Sequence, residues 1–84
     1  MTLHINPADY PGLLTAVIGA LFGYKIKGEF TNAAFPTECE VVRIAMDEIG
    51  QYEMVVCDLD DNGAALRHHL THIGFDEIVS ITIV

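Results

Sequence analysis

Basic side chains are scarce in this sequence, which has four Lys and Arg against 12 Asp and Glu and a formal net charge of −8. Proteins that hold nucleic-acid phosphates need clustered Lys and Arg. The scarcity therefore argues against direct binding to DNA, to RNA or to an anionic membrane surface. The same charge permits a basic protein partner or a cation, and it favours solubility without any partner.

Cysteine and long apolar runs are scarce as well. Two cysteines, Cys39 and Cys57, are too few for a disulfide framework. The longest apolar stretch, residues 11–24, is interrupted by a threonine and by glycines, and it falls short of the roughly 20 residues that span a membrane. We therefore expect a cytoplasmic protein with reduced thiols.

Residues suited to catalysis are few. Ser80 is the only serine and falls in a predicted strand, without the sharp turn that presents a nucleophilic serine. Cys57 also lies mid-strand, where a thiol is usually a small buried hydrophobe. The glycines of residues 23–28 lack the spacing of a phosphate-binding loop. We predict no enzyme and no cofactor.

Apolar material for one core is what the sequence does have. Hydrophobic residues make up 51% of the 84 residues, which is typical of a folded domain rather than of a disordered chain. No linker or repeat divides the sequence, so we predict one α+β domain that covers residues 1–84.

Alternating apolar residues predict several strands, and a turn near residues 48–51 predicts a hairpin between two of them. The strands are predicted at residues 2–6, 24–31, 40–49, 51–59 and 77–84. In the third strand, the alternation places Val42, Ile44 and Met46 on one face and Arg43 on the other. The lysines of residues 24–31 suggest an edge strand, because charged side chains discourage further pairing.

Helical spacing predicts two helices. The first ends near residue 23, and the second covers residues 62–73, where Leu66, Leu70 and Ile73 form an apolar stripe and Gly74 is placed to end the helix. The order of elements then predicts a ferredoxin-like α+β fold, in which two helices pack on one face of a four- or five-stranded, mainly antiparallel sheet.

The stretch DYPGLL at residues 9–14 follows the first predicted strand and opens the first helix. With the apolar helix and the next strand, it resembles the opening of an ACT domain, a small regulatory fold that senses ligands. The resemblance covers residues 2–30 well and residues 65–84 loosely. It implies an amino-acid-like ligand at the turn, usually where two copies meet, and the matching positions are Asp9, Pro11, Gly12 and Leu13.

The chemistry of such a turn suits a ligand carboxylate. Glycine allows a ligand close to the backbone, the first helical N–H groups are free, and the helix dipole favours an anion. The alternative is that Pro11 and Gly12 only start a helix, because proline suits the first helical turn.

Small residues cluster on one side of the predicted first helix: Ala16, Gly19, Ala20 and Gly23. A surface helix normally keeps a polar face, whereas this helix is apolar nearly all round. We predict that the small side meets a second copy, so that the protein is a homodimer. The alternative is a helix buried on two sides within one chain.

The stretch DLDDNG at residues 58–63 begins like a calcium loop. The twelfth position of such a loop should be an acid, and here it is His69. The same acids would also cap the second predicted helix, and we favour the cap.

His68 and His72 lie four residues apart, which on a helix is a spacing that can bind zinc or nickel. The alternative is a pair of exposed histidines without a metal. We predict no metal site.

Two functions fit these observations. The first is a non-enzymatic, ACT-like regulatory module that senses a small amino-acid-like ligand or acts through protein–protein contact. The second is an acidic inhibitor or adaptor, for example a phage-encoded anti-defence protein that mimics nucleic acid and docks on the basic groove of a partner protein. The charge of the chain favours the second, and the turn at residue 12 favours the first.

Overall fold

Six antiparallel strands form a single sheet in the order β1-β6-β2-β3-β4-β5. The structure is a computed structural model and describes residues 3–9 and 12–83. The strands are β1 (Leu3–Ile5), β2 (Lys25–Phe30), β3 (Glu38–Met46), β4 (Tyr52–Leu59), β5 (Ala65–Gly74) and β6 (Ile78–Ile83). One α-helix, α1 (Leu14–Gly19), and two 3-10 turns, Pro7–Asp9 and Phe75–Glu77, complete the described elements.

The ferredoxin-like prediction is wrong, because the described residues contain one short helix instead of two that cover a sheet. The predicted second helix at residues 62–73 is a turn followed by β5. Its helical spacing is misleading: Leu66 pairs with Asp58 and Leu70 pairs with Cys57, so three residues bulge out of the ladder between them. A bulge breaks the two-residue period of a strand and here produces a spacing of four.

Most of the other predicted elements are confirmed. The hairpin of residues 40–59 is β3 and β4, the last strand is β6, and the first helix exists but spans only six residues. The strand at residues 24–31 is β2, and it pairs with β6 on one side and β3 on the other. Its lysines therefore do not protect a sheet edge.

A second bulge, in β3, changes which side chain faces the core. Val41 pairs with Val56 and Arg43 pairs with Val55, so the register shifts at residue 42. Ile44 packs against the core and Arg43 lies on the opposite face, as predicted, but before the shift the core residue is Val41 and not Val42. Val41 is buried in the core, whereas Met46 is 57% exposed. Pattern reasoning could not locate the shift, because Val41 and Val42 are equally apolar.

The sheet is rolled rather than flat. Gly74 at the end of β5 pairs with β4, whereas Ile78 at the start of β6 pairs with β2. In a flat sheet β5 and β6 would lie four strand spacings apart, about 19 Å. The four residue steps between Gly74 and Ile78 span at most roughly 14 Å. The sheet must therefore curl and bring the two strand ends together.

The inner face of the roll holds the core, and α1 packs against β3. The core cluster contains Ile5, Ile18, Leu21, Ile26, Cys39, Val41, Met54, Val56, Ile73, Ile78 and Ile81. The opposite side of the sheet, which we call the outer face, carries the side chains that alternate with these residues; most are polar, but Val55 and Cys57 on this face are fully buried. No helix in the described part of the chain is long and apolar enough to cross a membrane.

Candidate protein-binding surface

All four basic side chains of the chain lie on the outer face. Lys25 and Lys27 alternate with buried Ile26 along β2. Arg43 lies opposite Val55, which is outside the core cluster. Arg67, in the bulge of β5, places Nη2 3.6 Å from Oε2 of Glu40. The sheet has therefore collected every Lys and Arg on one surface.

Four acids balance these bases on the same face. Glu40 lies opposite Lys25, and Glu38 lies opposite Lys27. Glu29 accepts a hydrogen bond from the Ser80 hydroxyl at 3.4 Å, and Glu53 lies 3.5 Å from Nδ1 of His72. With four bases and four carboxylates, the outer face carries no net formal charge.

The whole net charge of −8 therefore lies elsewhere on the molecule. Seven of the 12 acids occupy turns and 3-10 turns, and an eighth, Asp58, lies near the end of β4 with its Oδ1 buried. Nζ of Lys25 lies 3.9 Å from the position that a Cβ of Gly63 would take, so one base reaches the turn between β4 and β5. The eight acids are Asp9, Asp47, Glu48, Asp58, Asp60, Asp61, Asp76 and Glu77. The molecule thus has a neutral sheet surface and acidic ends.

Two of these acids build the hairpin turns with the same local geometry. Asp47 Oδ1 accepts the backbone N–H groups of residues 49 and 51, at 2.9 and 2.8 Å. Asp60 Oδ1 accepts those of residues 62 and 64, at 2.8 and 2.9 Å. Each turn then uses a glycine with positive φ, +84° at Gly50 and +80° at Gly63, a conformation that L side chains rarely adopt.

This geometry corrects the interpretation of DLDDNG. Asp60 closes a β-turn between two strands instead of capping a helix, and Asn62-Gly63 is a known hairpin signal. An Asp followed three residues later by Gly occurs in both turns, as DEIGQ at residues 47–51 and DDNGA at residues 60–64. The repeat of Asp and Gly at the same spacing was the missed indication that residues 62–73 continue as a strand.

The turn between β3 and β4 also carries exposed apolar side chains. Ile49 is 78% exposed, Met46 57% and Tyr52 45%. The ring centroid of Tyr52 lies 5.9 Å from that of Phe75, which belongs to the second 3-10 turn. Beside the two rings is a depression of about 260 Å³, lined by Gly50, Gln51, Tyr52, Phe75 and Asp76. We call these residues, with Met46, Glu48 and Ile49, the hairpin tip.

The residues predicted to bind a ligand lie at the start of α1. Asp9 ends the first 3-10 turn and is exposed, Gly12 has a φ of +76°, and Leu13 is exposed. Leu13 is at the N-cap position and provides no side-chain hydrogen bond to the helix. Pro11 lies outside the described residues. A ligand at this turn stays a prediction.

The residues predicted to meet a second copy are all exposed: Ala16, Gly19, Ala20 and Gly23. Exposed Phe22 and Tyr24 lie beside them. Gly23 has a φ of +84° and donates its N–H to the Val41 carbonyl at 2.8 Å, so it also connects α1 to β3. The homodimer stays a prediction.

The two histidines predicted on one helical side lie on a strand instead. Their spacing of four therefore no longer brings them one helical turn apart. His72 contacts Glu53, as described above. Among the described residues, no group of three or more His, Cys, Asp or Glu side chains has a metal-binding arrangement.

Both cysteines are free and fully buried. Burial raises the pKa of the Cys39 thiol to about 12, with smaller contributions from Cys57 and Asp58. Burial also raises the pKa of Cys57, and the Glu40 carboxylate adds to this shift. A reactive cysteine needs a lowered pKa and an accessible sulfur, so the two thiols have the properties of packing groups.

Comparison with family models, curated proteins and solved structures gave no match to this chain. The functional argument therefore rests on its own residues, of which the separation of charge and the exposed hairpin tip are the two features that ordinary folding does not require. The ACT-like resemblance stays a prediction, and its likeness is to residues 2–30 rather than to the hairpin tip.

Proposed function

We propose that this protein is a non-enzymatic binding module whose acidic ends dock on a basic surface of a partner protein. The observation that carries the proposal is the uneven charge: four carboxylates balance the four bases on the outer face, and most of the eight remaining acids lie at turns and 3-10 turns. A surface of one sign attracts a partner of the opposite sign and speeds its association. Inhibition of a nucleic-acid-binding protein by occupying its groove is one form that this function takes.

If the net charge of −8 served solubility alone, its acids would not need to be concentrated in one part of the surface. Balanced pairs on the outer face leave that surface with little attraction for a charged partner, whereas Glu48 and Asp61 are exposed at the tips of the two hairpin turns. The proposal therefore predicts that acids at the turns contribute to binding and that acids on the outer face do not.

The test uses a defined basic probe, a ten-residue lysine peptide, whose dissociation constant is measured by calorimetry at 50, 150 and 500 mM NaCl. The double variant Glu48→Gln, Asp61→Asn should weaken binding about three- to tenfold at low salt, because two uncompensated charges are lost. The matched variant Glu29→Gln, Glu38→Gln changes the net charge equally and should weaken binding less than twofold. Equal losses in the two variants, or an affinity that salt does not lower, would contradict the proposal.

A further inference from the structure

The hairpin tip combines exposed apolar side chains with acids, and this combination restricts its partner. Ile49, Met46 and Tyr52 are among the most exposed large apolar side chains of the described residues. They lie within a seven-residue stretch of sequence, and the Tyr52 and Phe75 rings form one side of the depression. Single exposed apolar side chains are ordinary on a protein surface, but a cluster around a concave site marks an interaction surface.

The charges around this cluster have one sign. Residues 46–52 and 75–77 contain four acids and no Lys or Arg. Asp76 lines the depression itself, and Glu48 is exposed in the adjacent turn. An apolar group that docks here is stabilised if cationic groups flank it, because these groups meet the acids at the rim.

The size of the depression indicates what kind of group it holds. At about 260 Å³, it is smaller than the roughly 300–1,000 Å³ clefts that enclose drug-sized ligands. It is open to one side, and it suits one large side chain that stacks against the Tyr52 and Phe75 rings. Aromatic side chains anchored in a small pocket commonly contribute most to protein–protein binding.

A second copy of the chain does not fit this site. In a twofold dimer the same surface of both copies meets, so Glu48 and Asp76 would face their own counterparts. Juxtaposed like charges disfavour such a contact. Charge complementarity therefore selects a basic partner.

We infer that the hairpin tip binds a segment of a partner protein in which an aromatic or large aliphatic side chain is flanked by Lys or Arg. This inference rests on the proposed function and names the docking place and the partner's chemistry. The apolar side chain occupies the depression beside Tyr52, and the flanking cations meet Glu48 and Asp76.

The experiment uses three synthetic five-residue peptides and the isotope-labelled full chain. The first peptide is Lys-Arg-Phe-Arg-Lys, the second replaces Phe by Ser, and the third replaces every basic residue by Glu. Amide chemical shifts in the NMR spectrum give both the affinity and the location of binding. The first peptide should shift the amides of Gly50, Gln51 and Asp76 and should bind about fivefold more tightly than the second, and the third should not bind.

Two variants test the apolar contact. Ile49→Ser should weaken the first peptide about threefold or more and leave the second unchanged, because only the first carries an apolar side chain. Its matched control is Phe22→Ser, which removes another exposed apolar side chain outside the hairpin tip and should leave both affinities unchanged. Since Ile49 is mostly exposed, its replacement leaves the core intact.

The outcomes separate this inference from the proposed function. Basic peptides that bind at the turn of residues 60–64, with no effect of Ile49→Ser, overturn the inference and leave the proposed function standing. Absence of binding by either basic peptide at millimolar concentration overturns both. Equal affinity of the Phe and Ser peptides overturns the apolar part of the inference.

Discussion

At the scale of single residues, Gly28 leaves the space that the ring of Phe30 occupies. The sequence around Gly28 does not indicate this role. Gly28 lies in the middle of β2, where a glycine normally weakens a strand. A Cβ at this position would overlap the ring of Phe30, which covers the glycine from two residues away. The Phe30 ring in turn contacts Phe35 edge to face, with centroids 6.0 Å apart. The Phe30–Phe35 pair at the rim of the core therefore requires a residue without a side chain at position 28.

Replacing Gly28 by Ala should lower the free energy of unfolding by about 1–3 kcal/mol, because the Phe30 ring must leave its position. The same replacement made in a Phe30→Ala background should cost less than about 0.5 kcal/mol, since no ring remains to be displaced. Urea unfolding of the four proteins measures this coupling. Equal costs in both backgrounds would show that the ring does not restrict residue 28.

The burial of Cys39 makes the stability of the fold depend on pH. The pKa of Cys39 is raised from the usual 9.0 to about 12, so the folded state keeps the thiol neutral where the unfolded chain ionises it. The folded state therefore holds more protons between pH 9 and pH 12, and stability falls with rising pH in that window. Below pH 9 the contribution is fully present.

We expect the raised pKa of Cys39 to lower the free energy of unfolding by about 1.4 kcal/mol between pH 8 and pH 10. Urea unfolding under reducing conditions measures the drop. Cys39→Ala lowers stability at every pH through its cavity, but it should make the pH dependence shallower than in the native sequence. An unchanged slope in this variant would assign the dependence to other groups.

At the scale of elements, the β4–β5 hairpin shows how a turn overrules a helical pattern. Asn62 and Gly63 permit the chain to reverse within the turn, and Asp60 holds the reversed backbone by accepting two N–H groups. Once the chain has reversed, β5 lies beside β4 and pairs with it from Gly74 to Ala65. The three residues between Leu66 and Leu70 bulge out of the ladder and have no partner in β4, so the strand resumes its alternation after them.

Asp60→Ala should lower the free energy of unfolding by about 1–2 kcal/mol, because two backbone N–H groups lose their acceptor. Asp60→Asn keeps an acceptor oxygen, so it should cost no more than about half as much. Asp47→Ala in the other hairpin is a matched comparison, and the shared geometry predicts a similar loss. Chemical denaturation measures all three, and an equal cost for Ala and Asn at residue 60 would argue against the turn hydrogen bonds.

At the scale of the whole molecule, the separation of charge opposes folding as well as serving binding. The eight acids in excess of the bases repel one another in the compact state. Salt screens charges that lie farther apart than roughly 10 Å at 0.1 M ionic strength. The outer-face pairs lose little by the same screening, because exposed ion pairs contribute little to stability.

Raising NaCl from 20 to 300 mM should therefore increase the free energy of unfolding, by about 0.5–1 kcal/mol. The double variant Glu48→Gln, Asp61→Asn should be more stable at low salt and should respond less to added salt. Urea unfolding at the two salt concentrations provides the measurement. A protein that salt destabilises would show that attractive pairs outweigh the repulsion.

The strand β2 and the hairpin of β3 and β4 could be predicted, because short apolar or alternating runs bounded by turn residues indicate strands. The registers of β3 and β6 could not, because a bulge at residue 42 and another opposite Phe30 shift the pairing. Ile78 is 6% exposed, whereas Val79, which the bulge leaves without a partner in β2, is 42% exposed. Neither residue differs enough from its neighbour for composition to decide.

By itself, the sequence determined the apolar core material, the β3–β4 hairpin, the excess of acids and the free state of so few cysteines, because these depend on composition and on local periodicity. Only the tertiary structure decided that residues 65–74 form a strand, that the sheet rolls, that all four bases share one face, and that Tyr52 and Phe75 meet beside Asp76. Strand pairing brings together residues that are distant in the chain, and the hydrogen bonds and burial that select one pairing belong to both partners at once.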